Sequence, residues 1–142
     1  MSISKNNSKS LVSVVMTCYN GRETLLMAMD SLFCQTYDNW ELIFVDDGSD
    51  DQSADLVDAV DDPRLRVIRL DQNYGRGVAY QKGNDEANGD FIAILDSDDW
   101  WYSTKLEKQI SFLNNHTEVS LVGGGLIIVD KRGHVAGYRC CH

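Results

Sequence analysis

Asp96, Asp98 and Asp99 stand within four residues of one another, directly after the apolar run Phe91-Ile92-Ala93-Ile94-Leu95. Carboxylates packed this closely repel one another unless positive charge shares the site. The spacing therefore calls for a divalent cation, with a phosphate group completing its shell. A second acidic pair, Asp46-Asp47, follows another apolar run, Trp40 to Val45. Each acidic group also has a purely structural reading: a turn capping the next helix at Asp96 to Asp99, and a helix N-terminal cap beside Ser49 at Asp47. The recurrence of acid after two separate apolar runs favours a site over two caps.

Thr17, Tyr19 and Asn20 follow the first apolar run, and Arg76 is the one cation in the loop Asn73-Tyr74-Gly75-Arg76-Gly77. If the apolar runs are parallel strands, their carboxyl ends open on one edge of a sheet, where ligands bind in open α/β folds. That edge would collect Thr17, Tyr19, Asn20, Asp46, Asp47, Asp96, Asp98 and Asp99. The set suits a nucleotide. A carboxylate accepts from a pyrimidine N–H, an aromatic ring lies over the base, and further carboxylates hold ribose hydroxyls and a metal on the diphosphate. The turn after the first strand, Thr17-Cys18-Tyr19-Asn20-Gly21, lacks the glycine triplet of a dinucleotide fingerprint, so carboxylates and metal must do most of the holding. Cys18, Cys34, Cys140 and Cys141 have no metal-ligand spacing and read as free thiols. Cys18 ends the first strand, but neither His116 nor His134 is recognisably placed to activate it.

The elements that would position these residues alternate strand and helix. Val12 to Met16, Trp40 to Val45, Leu65 to Leu70 and Phe91 to Leu95 read as strands, the last as fully buried and parallel. Glu23 to Gln35 is an amphipathic helix with Leu25, Leu26, Met29, Leu32 and Phe33 on one face. Leu56, Val57 and Val60 make the stripe of a short second helix, a third runs from the Gly75 loop to near Gly89, and a fourth spans Ser103 to Asn114 with Leu106, Ile110 and Leu113 inward. Val119 to Val129 is strand-like but interrupted by Gly123-Gly124-Gly125. His134 to Tyr138 is the expected return strand of a hairpin turning at Lys131-Arg132-Gly133.

The 142 residues suffice for one domain with a single core, and the 43% apolar share supports a folded globule. A formal charge of −9 argues against nucleic acid or anionic lipid as partners, because both select basic patches. Met1 to Ser10 is polar and the apolar run that follows is too short for a signal core or a membrane span. A cytoplasmic location is the expectation, with peripheral association at the inner face of the membrane in the full-length protein.

Taken in order, Val14-Val15-Met16-Thr17-Cys18-Tyr19-Asn20-Gly21, Gln35-Thr36-Tyr37-Asp38-Asn39-Trp40, Val45-Asp46-Asp47-Gly48-Ser49-Asp50-Asp51 and Gly89-Asp90-Phe91 to Asp99 resemble the family 2 inverting glycosyltransferases over roughly residues 11 to 115. The resemblance implies a GT-A fold, that is, Rossmann-like α/β/α layers around a mainly parallel sheet. It implies a nucleotide-diphospho-sugar donor, a UDP-sugar above all, a Mn²⁺ or Mg²⁺ ion, and a place in polysaccharide biosynthesis. Carried over, Thr17 and Tyr19 border the nucleobase, Asp47 bonds uracil, and Asp46 joins the donor-binding set. Asp96 lies on the ribose side and belongs with Asp98 and Asp99 to the metal group, Asp98 or Asp99 being the direct ligand. Where many relatives carry Ala-Arg-Asn, this chain has Ala79-Tyr80-Gln81, so the usual arginine is absent there; Arg76 is either its substitute at the diphosphate or a solvated surface residue.

The same resemblance places the base that deprotonates a saccharide or lipid-linked acceptor in a later segment, beyond His142. Residues 1–142 are thus expected to be one donor-binding domain of a longer enzyme, unable to transfer sugar alone. Apolar surface at Leu121, Val122, Leu126, Ile127 and Ile128 is expected to promote self-association. A non-catalytic nucleotide-sugar or metal-binding module would keep the same acidic loops. A sugar-phosphate nucleotidyltransferase would need a glycine-rich basic loop after the first strand, and a phosphoacceptor domain would need its acidic pair there.

Overall fold

In the computed structural model, which describes residues 9–130 and 132–139, strands and helices alternate as the periodicity predicts. β1 (Val12–Cys18), β2 (Trp40–Asp46), β3 (Leu65–Arg69) and β4 (Phe91–Ile94) all pair in parallel, in the order β3-β2-β1-β4. α1 (Arg22–Phe33), α2 (Ser53–Asp58) and α3 (Arg76–Asp85) connect them, and α4 (Lys105–Asn115) follows β4. The register sets Cys18 beside Asp46 and Val15 beside Ile94, so the loops after the strands emerge at one edge.

β1 and β2 are buried on both faces, and Val12, Val14, Val15, Met16, Leu42, Ile43, Phe44 and Val45 have no exposed surface. Side chains alternate between the faces. Ile43 and Val45 pack with Ala79 of α3 and with Ile68, Leu70 and Ala87. On the opposite face α2 packs against β2 and β3 and touches α1. The buried stripe of α1 is Leu25, Ala28, Met29 and Leu32, a 3.6-residue period. Leu26, expected on that face, is 51% exposed. Ala28 holds the inward position instead, a side chain too small to stand out in an apolar count.

β4 is parallel as expected but is not fully buried. It is the outer strand of this sheet, and Ile92 and Ile94 are 50% and 55% exposed. An unbroken apolar run reveals that both faces of a strand are oily, but which face is covered depends on the neighbouring elements. Here α3 packs over β1 and β2. The entry to β4 is clamped to β1: Gly89 N donates to Ser13 Oγ at 2.8 Å, and Leu11 N donates to Asp90 Oδ2 at 3.0 Å. α3 therefore stops at Asp85, short of the expected Gly89, and Asn88 N donates to Glu41 Oε1 at 2.9 Å.

The chain divides into two compact units, residues 1–107 and 108–142, with the division inside α4. Leu106 and Ile110 are buried and Leu113 is half-buried. In the second unit β5 (Leu126–Val129) and β6 (Val135–Arg139) form the expected antiparallel hairpin. Asp130 closes its turn, accepting from Arg132 N at 2.8 Å and His134 N at 2.9 Å through Oδ1. Residues 119–125 do not extend β5, because Gly123, Gly124 and Gly125 bring no side chains to pack. Leu121, Leu126, Ile127 and Ile128 are exposed as expected, and Val122 is half-buried. Cys140 and Cys141 lie outside the described residues, as does Lys131 of the turn.

Candidate nucleotide site

A cavity of about 530 Å³ opens at the carboxyl edge of the parallel sheet. All four strand-to-helix loops of the sheet contribute to it. Thr17 comes from the end of β1, Tyr19 and Asn20 from the loop after it, and Asp47 follows β2. Asn73, Gly75 and Arg76 precede α3, and Asp96, Ser97, Asp98 and Asp99 follow β4. The structure thus gathers Thr17, Tyr19, Asp47, Arg76, Asp96, Asp98 and Asp99 around one space. Asp46 is not among the lining residues. It lies on the face opposite Asp47, 5% exposed, and its Oδ1 has no hydrogen-bond partner among the described residues.

Hydrogen bonds between loops hold the floor. Asp47, 4% exposed, accepts from Tyr74 N at 2.8 Å through Oδ1 and from Gly75 N at 2.9 Å through Oδ2. It is an anchor for the loop before α3, not the N-terminal cap of α2. Each carboxylate oxygen retains a second lone-pair direction for a ligand N–H. Gly48 lets this approach happen: its φ is +73°, and a Cβ there would lie 2.4 Å from the carbonyl carbon of Gln72. Asn20, itself at φ 52°, donates its N–H to Ser49 Oγ at 2.9 Å and accepts from Asp50 N at 3.0 Å. These pairs tie the first two loops together.

The acidic turn after β4 is graded in environment. Asp96 is partly buried and has cationic and phenolic neighbours: Tyr80 donates its O–H to Oδ1, and Arg76 Nη1 lies 4.0 Å from Oδ2. Burial and this bond to Asp96 push the Tyr80 phenol up to about 12, so it remains a donor across the neutral range. Asp98 and Asp99 are exposed to the cavity. Burial, together with the negative charge of Asp98 and Asp96, raises the Asp99 carboxyl above its usual range. Among the described residues no three His, Cys, Asp or Glu side chains converge closely enough to hold a metal by themselves. That donor set fits Mg²⁺ or Mn²⁺ of the kind that takes one or two carboxylates from protein and the rest from phosphate and water.

Cys18 and Cys34 are free thiols. Cys18 is buried, and burial raises its pKa despite hydrogen bonds with Ser53, Ser97 and Gly21, which leaves a neutral thiol rather than a nucleophile. Tyr80 was noted in the sequence only as a departure from the Ala-Arg-Asn run of relatives and was given no role in the site. Its spacing of four puts it on the same side of α3 as Arg76, which lines the cavity.

The glycosyl transferase family 2 profile matches residues 13–138. The putative teichuronic acid biosynthesis glycosyltransferase TuaG of Bacillus subtilis is 40% identical over 109 residues, 75% of this chain and 43% of that protein. The Escherichia coli UDP-Glc:alpha-D-GlcNAc-diphosphoundecaprenol beta-1,3-glucosyltransferase WfgD is 35% identical over 128 residues, 90% of this chain and 50% of its own. This chain therefore spans about half the length of the curated relatives it matches. The crystal structure of S. aureus TarS in complex with UDP-GlcNAc superposes with a TM-score of 0.71 at 27% identity, covering 84% of this chain and 34% of that one. A match that runs from the first strand into the last, on a parallel sheet of the same architecture, makes this chain a member of glycosyl transferase family 2 with the GT-A fold.

Proposed function

We propose that residues 1–142 bind the nucleotide diphosphate of a UDP-sugar and belong to an enzyme that transfers the sugar, with inversion, to a saccharide or lipid-linked acceptor. The observation that carries this reading is the convergence of Asp47, Asp96, Asp98 and Asp99 on one cavity that also receives Arg76 and Tyr19. UDP-Glc in the name of WfgD and UDP-GlcNAc bound in the TarS structure support uridine.

In this assignment Tyr19, 53% exposed, lies over the base, Thr17 borders it, and Asp47 accepts its ring N–H. Asp96 accepts from the ribose hydroxyls and the Arg76 guanidinium reaches the diphosphate. Asp98 and Asp99 would hold a Mn²⁺ or Mg²⁺ ion, whose chemistry is to offset charge developing on the departing diphosphate. Inversion follows from attack by the acceptor hydroxyl on the face of the anomeric carbon opposite the nucleotide. Calorimetric titration with UDP and GDP, each with Mn²⁺ and with excess chelator, tests the reading. UDP is expected to bind more tightly than GDP and to lose affinity with chelator. Equal affinity for the two nucleotides would overturn the uridine assignment, and insensitivity to chelator would overturn the cation.

A further inference from the structure

We propose that Tyr80 is a positioning residue of the donor site: its phenol O–H, donated to Asp96, holds that carboxylate in the orientation that accepts from the ribose. The inference rests on the nucleotide reading above. Three observations place Tyr80 in this role. It donates to Asp96 Oδ1 directly, and Thr17, near the end of β1, is a further neighbour of the phenol, so Tyr80 bridges the end of β1 and the loop after β4. The Arg76 guanidinium lies 5.8 Å from the Tyr80 ring centroid and 4.0 Å from Asp96 Oδ2, so the two oxygens of Asp96 face different partners. Tyr80 also sits on α3 beside Ala79, which packs in the core against Ile43 and Val45.

The consequence is a division of labour among the acidic residues. A carboxylate fixed on one side by a phenol cannot rotate freely, and it presents its remaining lone pairs in set directions. Asp98 and Asp99, by contrast, are exposed and border the cavity. Tyr80 is partly buried, and it acts on a nucleotide through Asp96 rather than by touching it.

The test compares UDP with 2′-deoxy-UDP, in Mn²⁺, for the parent protein, Tyr80→Phe, Asp96→Asn and the double variant. The parent is expected to prefer UDP. Tyr80→Phe should weaken UDP binding about tenfold, the scale of one hydrogen bond to a charged group, and reduce the preference over 2′-deoxy-UDP. The double variant should bind no more weakly than Asp96→Asn alone, because the two residues act through one contact. A merely structural role for Tyr80 would give independent losses that multiply and would leave the preference for the ribose hydroxyl intact. Either of those results, or unchanged UDP affinity in Tyr80→Phe, would overturn the inference while leaving the nucleotide reading in place. Failure of the parent to bind either nucleotide would overturn both.

Discussion

Asp47 does two jobs with one carboxylate. Its oxygens accept backbone N–H groups from Tyr74 and Gly75, and the same side chain borders the cavity. Asp47→Asn replaces one acceptor oxygen by an NH₂ group that must face one of those N–H donors. Loss of a charge-assisted bond at a site only 4% exposed should cost about 1.5 to 3 kcal/mol of stability, read by urea unfolding, and should weaken UDP binding as well. Asp98 makes a contrasting case, being exposed to the cavity. Asp98→Ala should leave the unfolding midpoint nearly unchanged and abolish the response of UDP affinity to Mn²⁺ in calorimetry. An unfolding curve shifted as far as that of Asp47→Asn would show that Asp98 is a structural cap instead.

Among the elements, β4 matters most to the site, because its far end delivers Asp96 to Asp99. Its near end is fastened by a three-way contact. Ser13 Oγ donates to Glu41 Oε1 at 2.6 Å and accepts from Gly89 N at 2.8 Å. A Cβ on Gly89 would lie 2.6 Å from Ser13 N and 2.8 Å from Leu11 O, backbone atoms that cannot yield without moving β1. Gly89→Ala should destabilise by about 1 to 3 kcal/mol and raise amide exchange in residues 91–94; exchange confined to the 85–89 loop would count against this coupling. The existence of the strands and helices, and the parallel α/β class they build, were legible in the sequence because short apolar runs and helical periods are local signals; the order β3-β2-β1-β4 was not. The inward place of Ala28, the exposed face of Ile92 and Ile94, and the bond from Tyr80 to Asp96 were not legible. Each depends on which segment the sheet brings alongside, and that information is carried by residues far away in the chain.

For the whole molecule, a charge of −9 makes acid behaviour informative. Burial tends to raise the Glu41 carboxyl, but hydrogen bonds from Ser13 and Asn88 override it and hold Glu41 below its ordinary value. The Arg64 hydrogen bond lowers Asp62 likewise. For such groups the unfolded chain binds protons more readily than the native one. Their contribution is complete above the unfolded value, about pH 4, and is lost as pH falls through the lower folded value. Asp99 has the opposite sign. Its folded value is raised by burial and by Asp98 and Asp96, so its stabilising contribution is present below the unfolded value and is lost as pH rises through the folded one. Positive charge placed beside Asp99 removes that penalty only where the carboxyl is ionised. Thermal unfolding between pH 3 and 7, with and without Mn²⁺ and UDP, should therefore show two effects. The midpoint without ligand should fall on acidification below about pH 4, less steeply in Glu41→Gln. The rise in midpoint on adding Mn²⁺ and UDP should be larger at pH 7 than at pH 4, with saturating ligand at 100 times its dissociation constant adding about 2.7 kcal/mol at neutral pH. A ligand-induced rise that is the same at both ends of the range would show that the acidic turn after β4 takes no part in holding the cation.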